Sequence, residues 1–249
     1  MAQHPLPPAA AASAVQPSRS RAARPDDLHH IPWMATLDGP ERQRVRHDLR
    51  RVQVNAGELV CRVGRPVTNW FGLVDGLLKM SNDSASNDGR ASPITFTGVS
   101  PGGWFGEGTV LKNEVYRYNI QALRQSVVAG ITADTFHWLL GRSIGFNRFV
   151  MNQLNERLGQ FIAAREIDRL THPDERVARN LAALFHPVLY PGVGEVLRIT
   201  QQELGYLVGL SRQRVNEALS ALQAAGVIRV EYGGVRVLNL DSLRRYRFE

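Results

Sequence analysis

Arg212, Gln213, Asn216 and Glu217 are the side chains in this chain with the clearest recognition chemistry. A guanidinium fork fits the O6 and N7 acceptors of guanine, a carboxamide fits adenine N6 and N7, and a carboxylate accepts from cytosine N4. Four such residues crowded together can read base edges, provided that a helix projects them away from a core.

The flanking sequence supplies that helix and a second one before it. Thr200 and Glu203 form a Thr-x-x-Glu capping box, so a helix starts there. Leu204, Leu207 and Val208 give it an apolar face. Gly205 costs about 1 kcal/mol relative to alanine inside a helix and predicts close approach of another backbone. Gly209 supplies a positive φ for a sharp turn, Leu210 plugs the corner, and Ser211 caps the next helix. Val215, Ala218, Leu219 and Leu222 share one face of that second helix, so Gln213, Asn216, Glu217 and Ser220 face outward. The pattern is a helix-turn-helix over about residues 200–220, although a plain αα-hairpin shares its outline. Residues 227–238, VIRVEYGGVRVL, alternate apolar and polar around Gly233-Gly234 and predict a hairpin wing. Asp241 is the expected cap of a last short helix that ends near Arg244, Arg245 and Arg247.

The whole chain is consistent with such a role. Its 249 residues suffice for two modest domains. No apolar run approaches the roughly 18 residues of a membrane helix, so no membrane partner is expected. Residues 1–25, rich in Ala, Pro and Ser, lack the pattern of a secretory signal and are expected to form a disordered tail. The single cysteine, Cys61, excludes an intrachain disulfide and falls short of the four thiolates that hold an iron–sulfur cluster. The expected location is cytoplasmic. A net charge of +7 suits a polyanionic partner. Lys79 and Lys112 are the only lysines, so 28 of the 30 basic residues are arginine, a bias that GC-rich codon usage accounts for more simply than DNA recognition does. No phosphate-loop, metalloprotease or nucleophile-elbow motif is present, which argues against an enzyme. His29-His30 and His137 lack metal-ligand spacing with any second pair, so no metal is expected.

Upstream of the helix-turn-helix the chain changes character twice. From residue 26 to 142, short β-type runs punctuated by glycine predict a small antiparallel barrel or jelly roll, with the polar insertion 81–92 as an exposed hairpin tip. Residues 143–171 then read as one long helix. Met151, Leu154, Leu158 and Phe161 follow a three-four alternation that Arg165 and Asp168 continue, a narrow seam suited to a second copy of the chain. Thr171-His172-Pro173-Asp174 ends that helix and opens the last domain, 172–249. The fold class is therefore α+β: a barrel, a dimerisation helix, and a winged helix-turn-helix.

This order of elements, with GWFGEG, NERLGQF, RVARNLAALF and ITQQELGYLVGLSRQRVNEAL in turn, resembles the Crp/Fnr family of bacterial transcription regulators over roughly residues 30–246. The resemblance implies a cyclic-nucleotide-binding-like barrel and a homodimer whose reading helices enter successive major grooves of a palindromic operator, about 34 Å apart. It implies a DNA-facing set of Thr200, Gln201, Ser211, Arg212, Gln213, Arg214, Asn216 and Glu217. Arg212 matches a guanine-reading position. Gln213 replaces an acidic residue of the cyclic-AMP receptor protein, and Glu217 replaces an arginine, so the operator is expected to share a guanine with that relative's site and differ beside it. Glu217 either accepts from cytosine or orders a neighbouring arginine, and Arg214 either contacts phosphate or is solvated. RNA polymerase contact falls at residues 186–196, HPVLYPGVGEV, which read equally as a connector.

The same resemblance places an effector pocket at Gly106, Glu107 and Arg117, which match a phosphate-binding cassette. Tyr118 stands where the cyclic-AMP receptor has a small hydroxyl residue, while Phe161 and Ile162 fall where it offers hydroxyls to adenine. Each group left unpaired on a bound base costs about 1 to 3 kcal/mol, which disfavours cyclic AMP. Two readings remain: a cassette kept only as structure, with Glu107 paired to Arg117, or a pocket for another nucleotide such as a cyclic dinucleotide. The competing function is a nucleotide- or partner-binding module with a vestigial helix-turn-helix.

Overall fold

The computed structural model describes residues 20–22, 31–85 and 91–248. Its first part is a jelly roll of two antiparallel sheets. One sheet runs in the order β1 (Ser20–Ala22), β2 (Arg50–Val54), β9 (Ser126–Thr132), β4 (Asn69–Asp75), β7 (Trp104–Phe105). The other runs β3 (Leu59–Cys61), β8 (Asn119–Ala122), β5 (Leu78–Ala85), β6 (Ala91–Val99). Strands β5 and β6 pair as a hairpin, but the pairing runs into the polar insertion expected to be its tip: residues 81–85 and 91–92 belong to the strands, Ser81 is buried, and residues 86–90 lie outside the described residues.

Strand β1 corrects the expected tail at three positions. Ser20, Arg21 and Ala22 pair with Val52, Arg51 and Arg50. An open sheet edge offers backbone groups that accept almost any extended segment, so a strand without large apolar residues can form there. The rest of segment 1–25, like His29-His30, lies outside the described residues.

Helices flank the roll. They are α1 (Gly39–Asp48), α2 (Glu107–Lys112), α3 (Ala133–Leu140) and α4 (Ile144–Ile167), with a 3₁₀ turn at Pro32–Thr36. An aromatic cluster joins them to the sheet: Trp70 lies 4.5 Å from Trp104 and 5.1 Å from Phe136, and Trp33 lies 5.4 Å from Phe146. All five side chains are buried, and such tilted and edge-on pairs add about 0.5 to 1.5 kcal/mol each beyond area burial.

Helix α4 differs from the expected seam in its register. The buried face carries Phe146, Val150, Gln153, Arg157 and Gln160. Leu154 and Phe161, assigned to the seam from sequence, are half-buried against the barrel core, where Phe161 meets Phe96 edge-on at 6.2 Å. The outward stripe keeps Met151, Leu158 and Arg165 of the expected seam and adds Ile144 and Ile162, the four apolar residues being 57–72% exposed. Apolar residues lie on both sides of this helix, so their spacing alone does not select the outer stripe.

The second part begins at α5 (Pro173–Ala183), which His172 caps through its ring nitrogen. Helices α6 (Gln201–Val208) and α7 (Arg212–Ala224) follow, then a sheet in the order β10 (Val196–Arg198), β12 (Gly234–Val237), β11 (Ile228–Glu231), and α8 (Leu240–Arg244). The wing is therefore present, with its turn one residue earlier than expected. Glu231 pairs with Gly234, leaving Tyr232 and Gly233 as the loop. Asn239, not Asp241, caps α8 by accepting from the Ser242 amide at 2.9 Å.

Candidate nucleic-acid interface

Local chemistry fixes the reading helix. Thr200 Oγ1 accepts from the Glu203 amide at 3.1 Å, and a Glu203 carboxylate oxygen accepts from the Thr200 amide at 2.8 Å, so the capping box is complete. Thr200→Ala is expected to cost about 1 kcal/mol of unfolding free energy; urea titration of both proteins measures it. Gly209 ends α6 with φ 68°, which lets the chain reverse. A Cβ on Gly205 would lie 2.8 Å from the Leu210 carbonyl oxygen, so the close approach expected there is real. Ser211 Oγ accepts from the Arg214 amide at 3.2 Å and starts α7. Val215, Ala218, Leu219 and Leu222 are buried beneath it, each large one contributing about 1.5 to 3 kcal/mol.

The outer face of α7 is not uniformly available. Arg212 and Asn216 are exposed and, among the described residues, their side chains bond to nothing; Ser220 follows them at the same spacing. Arg214 is engaged instead: Nη2 lies 2.6 Å from the buried Asp174 carboxylate of α5, and Nη1 lies 2.9 Å from Glu217. Glu217 also accepts from Gln213 Nε2 at 3.2 Å. Glu217 thus orders its neighbours, which is one of the two roles its sequence position allows. The Thr200 hydroxyl is spent inside its capping box, while Gln201 is half-buried with its amide unengaged among the described residues. Sequence reasoning missed two wing residues, Arg229 and fully exposed Tyr232 at the hairpin tip. For Tyr232 the signal was the hairpin loop itself, since a side chain in such a loop has no neighbour to cover it, while Arg229 lies on strand β11 as one of the polar residues of its alternation.

The expected effector pocket does not assemble as the sequence suggested. Gly106 adopts φ 84° and opens α2, and Glu107 is buried. Arg117, however, points outward and bonds Glu114 at 2.9 Å. Its place beside Glu107 is taken by Arg157 of α4, buried and unpredicted. Arg157 Nε lies 3.4 Å from Glu107, Nη2 donates to the Trp104 carbonyl at 2.8 Å, and Nη1 reaches Gln160 at 3.0 Å and the Tyr190 hydroxyl at 3.1 Å. Burial opposes the charge of Arg157, but Tyr190, Glu107 and Tyr118 outweigh it and hold the guanidinium above the ordinary arginine range. Burial first, then the Glu107 and Cys61 charges, raise the Tyr118 phenol. Burial also pushes the Cys61 thiol up to about 12, so it is an inert core group. Ile162 sits on the exposed stripe of α4 and Phe161 on its barrel side, so they do not form a pair facing the cassette.

Tyr190 belongs to the segment 186–196. It is buried and donates to the Gly98 carbonyl at 2.8 Å, while Gly192 N–H reaches the Pro101 carbonyl at 3.1 Å. This segment therefore straps the DNA-reading part to the barrel. Arg124 adds a second strap, from Nη2 to the Arg198 carbonyl at 2.5 Å and from Nη1 to Glu203 at 3.5 Å.

His137 bonds the Val110 carbonyl at 2.9 Å. Among the described residues no group of His, Cys, Asp and Glu could hold a metal ion, and no helix is long and apolar enough to cross a membrane.

A β-roll, a long connecting helix and a winged reading helix together define a DNA-binding transcriptional regulator with a domain of the cyclic nucleotide-binding type. Family comparison agrees: the cyclic nucleotide-binding domain matches residues 51–143 and the Crp-like helix-turn-helix domain matches residues 175–246. The chain belongs to the Crp/Fnr family. It is 26% identical over 201 residues to the transcriptional regulator SdrP of Thermus thermophilus, covering 78% of this chain and 92% of that protein. The structure of FixK2 from Bradyrhizobium japonicum is similar in fold, with TM-score 0.61 at 18% identity over 78% of this chain and 95% of that one. The cAMP-dependent protein kinase regulatory subunit of Schizosaccharomyces pombe is 28% identical over 132 residues, 53% of this chain but 29% of that protein, so the chain spans under a third of that relative's length.

Proposed function

We propose that the protein works as a homodimer in the cytoplasm, binding a palindromic operator through paired α7 helices, and that cyclic AMP is not its signal. The observation that carries this reading is the unengaged pair of side chains Arg212 and Asn216, followed by exposed Ser220 whose hydroxyl donates to the Asn216 carbonyl at 2.9 Å, on a helix whose opposite face is packed. A vestigial reader has no reason to keep an open guanidinium and amide on the side away from its core, with both caps intact. The exposed stripe on α4 offers the self-complementary apolar surface that a two-fold pair needs. Arg157 supports the view that the cassette serves as structure, because its guanidinium already satisfies Glu107. RNA polymerase would find Pro187, Pro191 and Glu195 on the outside of the strap, while Tyr190 anchors it.

Selection from a random DNA pool tests the operator. The expected product is an inverted repeat with centres one helical turn, about 34 Å, apart and a guanine in each half. Adenine enters the neighbouring positions through Asn216 and Gln213. A non-repeated product, or recovery of the cyclic-AMP receptor's own site unchanged, would overturn the reading.

A further inference from the structure

A cavity of about 590 Å³ lies where α4, α5, α8 and strand β6 meet, apart from the cassette. Its walls come from the sensor, the long helix and the DNA-reading part at once. That volume falls within the range of small-molecule sites, roughly 300 to 1,000 Å³.

The cationic side of this cavity is under-compensated. Arg179 of α5 is half-buried and lines it, and its Nε is buried with no hydrogen-bond partner. Among the described residues Arg179 makes no ion pair. An unmatched guanidinium at such a place is costly unless an anion meets it. Arg244 and Arg247 also line the cavity, held only by long pairs to Asp241 at 3.5 Å and Glu175 at 3.7 Å. Two carboxylates face the same space. Glu156 is occupied by His186 Nε2 at 3.3 Å, whose other ring nitrogen accepts from the Val188 and Leu189 amides, so His186 is the donor to Glu156. Glu166 is exposed at the rim.

The opposite wall is apolar. Phe96 of β6 and Ala163 and Ala164 of α4 form a surface on which a planar ring can lie. Asn180 uses its amide nitrogen on the Arg176 carbonyl at 2.9 Å, which leaves its side-chain oxygen to accept from a base.

We propose that this cavity is the effector site and that it takes a nucleotide, with phosphate on Arg179, Arg244 and Arg247 and the base against Phe96. The proposal rests on the reading of the chain as a ligand-controlled regulator and moves the ligand from the cassette to the junction of α4 and α5. Guanidinium forks grip phosphate oxygens in two-point fashion. A ligand held by α4, α5 and α8 together would fix the angle between the long helix and the reading helices, and so bias DNA affinity by its differential contacts.

Calorimetric titration of the full chain, without DNA, with 5′-AMP, cyclic AMP and cyclic di-GMP tests this. 5′-AMP or cyclic di-GMP is expected to bind and cyclic AMP is not. Arg179→Gln should weaken that binding about tenfold or more, since a charge-assisted bond is removed, and Arg244→Gln should weaken it by a smaller factor. Arg117→Gln should leave it unchanged. Because Arg179 has no partner to lose and its unmatched guanidinium is itself costly, its variant is expected to melt at or above the wild-type temperature in the absence of ligand. No heat with any of the three, or binding that fails in Arg117→Gln and survives in Arg179→Gln, would overturn the site. So would a loss of operator affinity in Arg179→Gln without ligand, which would assign the residue to DNA phosphate. Operator selection is independent of these titrations, so failure of the DNA reading and failure of the site are told apart.

Discussion

Leu158→Asp is expected to convert the protein to a monomer and to lower its affinity for the palindromic operator by about two orders of magnitude or more. Leu158 is 60% exposed in a single chain, on the stripe it shares with Ile144, Met151 and Ile162. In a two-fold pair each of these residues is buried twice, and burying such a side chain contributes about 1.5 to 3 kcal/mol. A carboxylate at the centre of that interface would face its own copy, unpaired and desolvated, an arrangement that costs several kcal/mol. The single chain has little to lose, because Leu158 lies on its outer surface. Light scattering after gel filtration should therefore show half the wild-type mass, while the melt of the barrel core is retained. Gel-shift titration should show that a single half-site is bound as before and that the gain from the second half-site has vanished. A variant that remains a dimer would place the interface elsewhere on the chain.

The stripe keeps Met151 and Leu158 of the expected seam but takes Ile144 and Ile162 in place of Leu154 and Phe161, which shows where the sequence was legible and where it was not. The helix-turn-helix depended on local rules: a capping box, a positive-φ glycine and one-sided apolar spacing all acted within residues 200–222 and survived folding unchanged. The register of α4 depended on which of two apolar sides met the barrel, and that is decided by residues many positions away in the chain. A signal was nevertheless present. Phe146, Val150, Gln153, Arg157 and Gln160 follow strict three-four spacing, and three polar residues continuing an apolar face predict a buried polar network. What hides Arg157 in the sequence is that arginine on a helix is ordinarily solvated. Only the fold brings Glu107, Trp104 and Tyr190 to it, and only then is Arg117 free to face outward with Glu114. The cavity beside α5 is equally invisible in the sequence, since its walls come from elements far apart in the chain.

Arg212→Ala carries the second large effect and isolates base reading from folding. Arg212 is exposed at the first turn of α7 and, among the described residues, has no hydrogen bond or ion pair. Its removal should therefore change stability by no more than about 0.5 kcal/mol. Arg214, two residues on, could not serve this purpose, because it ties α7 to the buried Asp174 of α5 and its loss would disturb the helix itself. If Arg212 grips guanine through O6 and N7, each such pairing contributes about 1 to 3 kcal/mol of discrimination. A homodimer makes the pairing in both halves, so the loss is about 2 to 6 kcal/mol, which corresponds to roughly 30-fold to 10⁴-fold in operator affinity. The pairing itself is exposed by a cycle. Replacing the guanine in both half-sites should weaken the wild type by a similar factor and leave Arg212→Ala nearly indifferent, because the two changes remove the same interaction. An arginine bound to phosphate behaves otherwise: the variant would bind every sequence more weakly by the same factor, and the salt dependence of binding would flatten by about one unit of slope for each phosphate no longer neutralised. Fluorescence anisotropy at two salt concentrations, on operators with and without the guanine, separates base reading from backbone gripping at this one side chain.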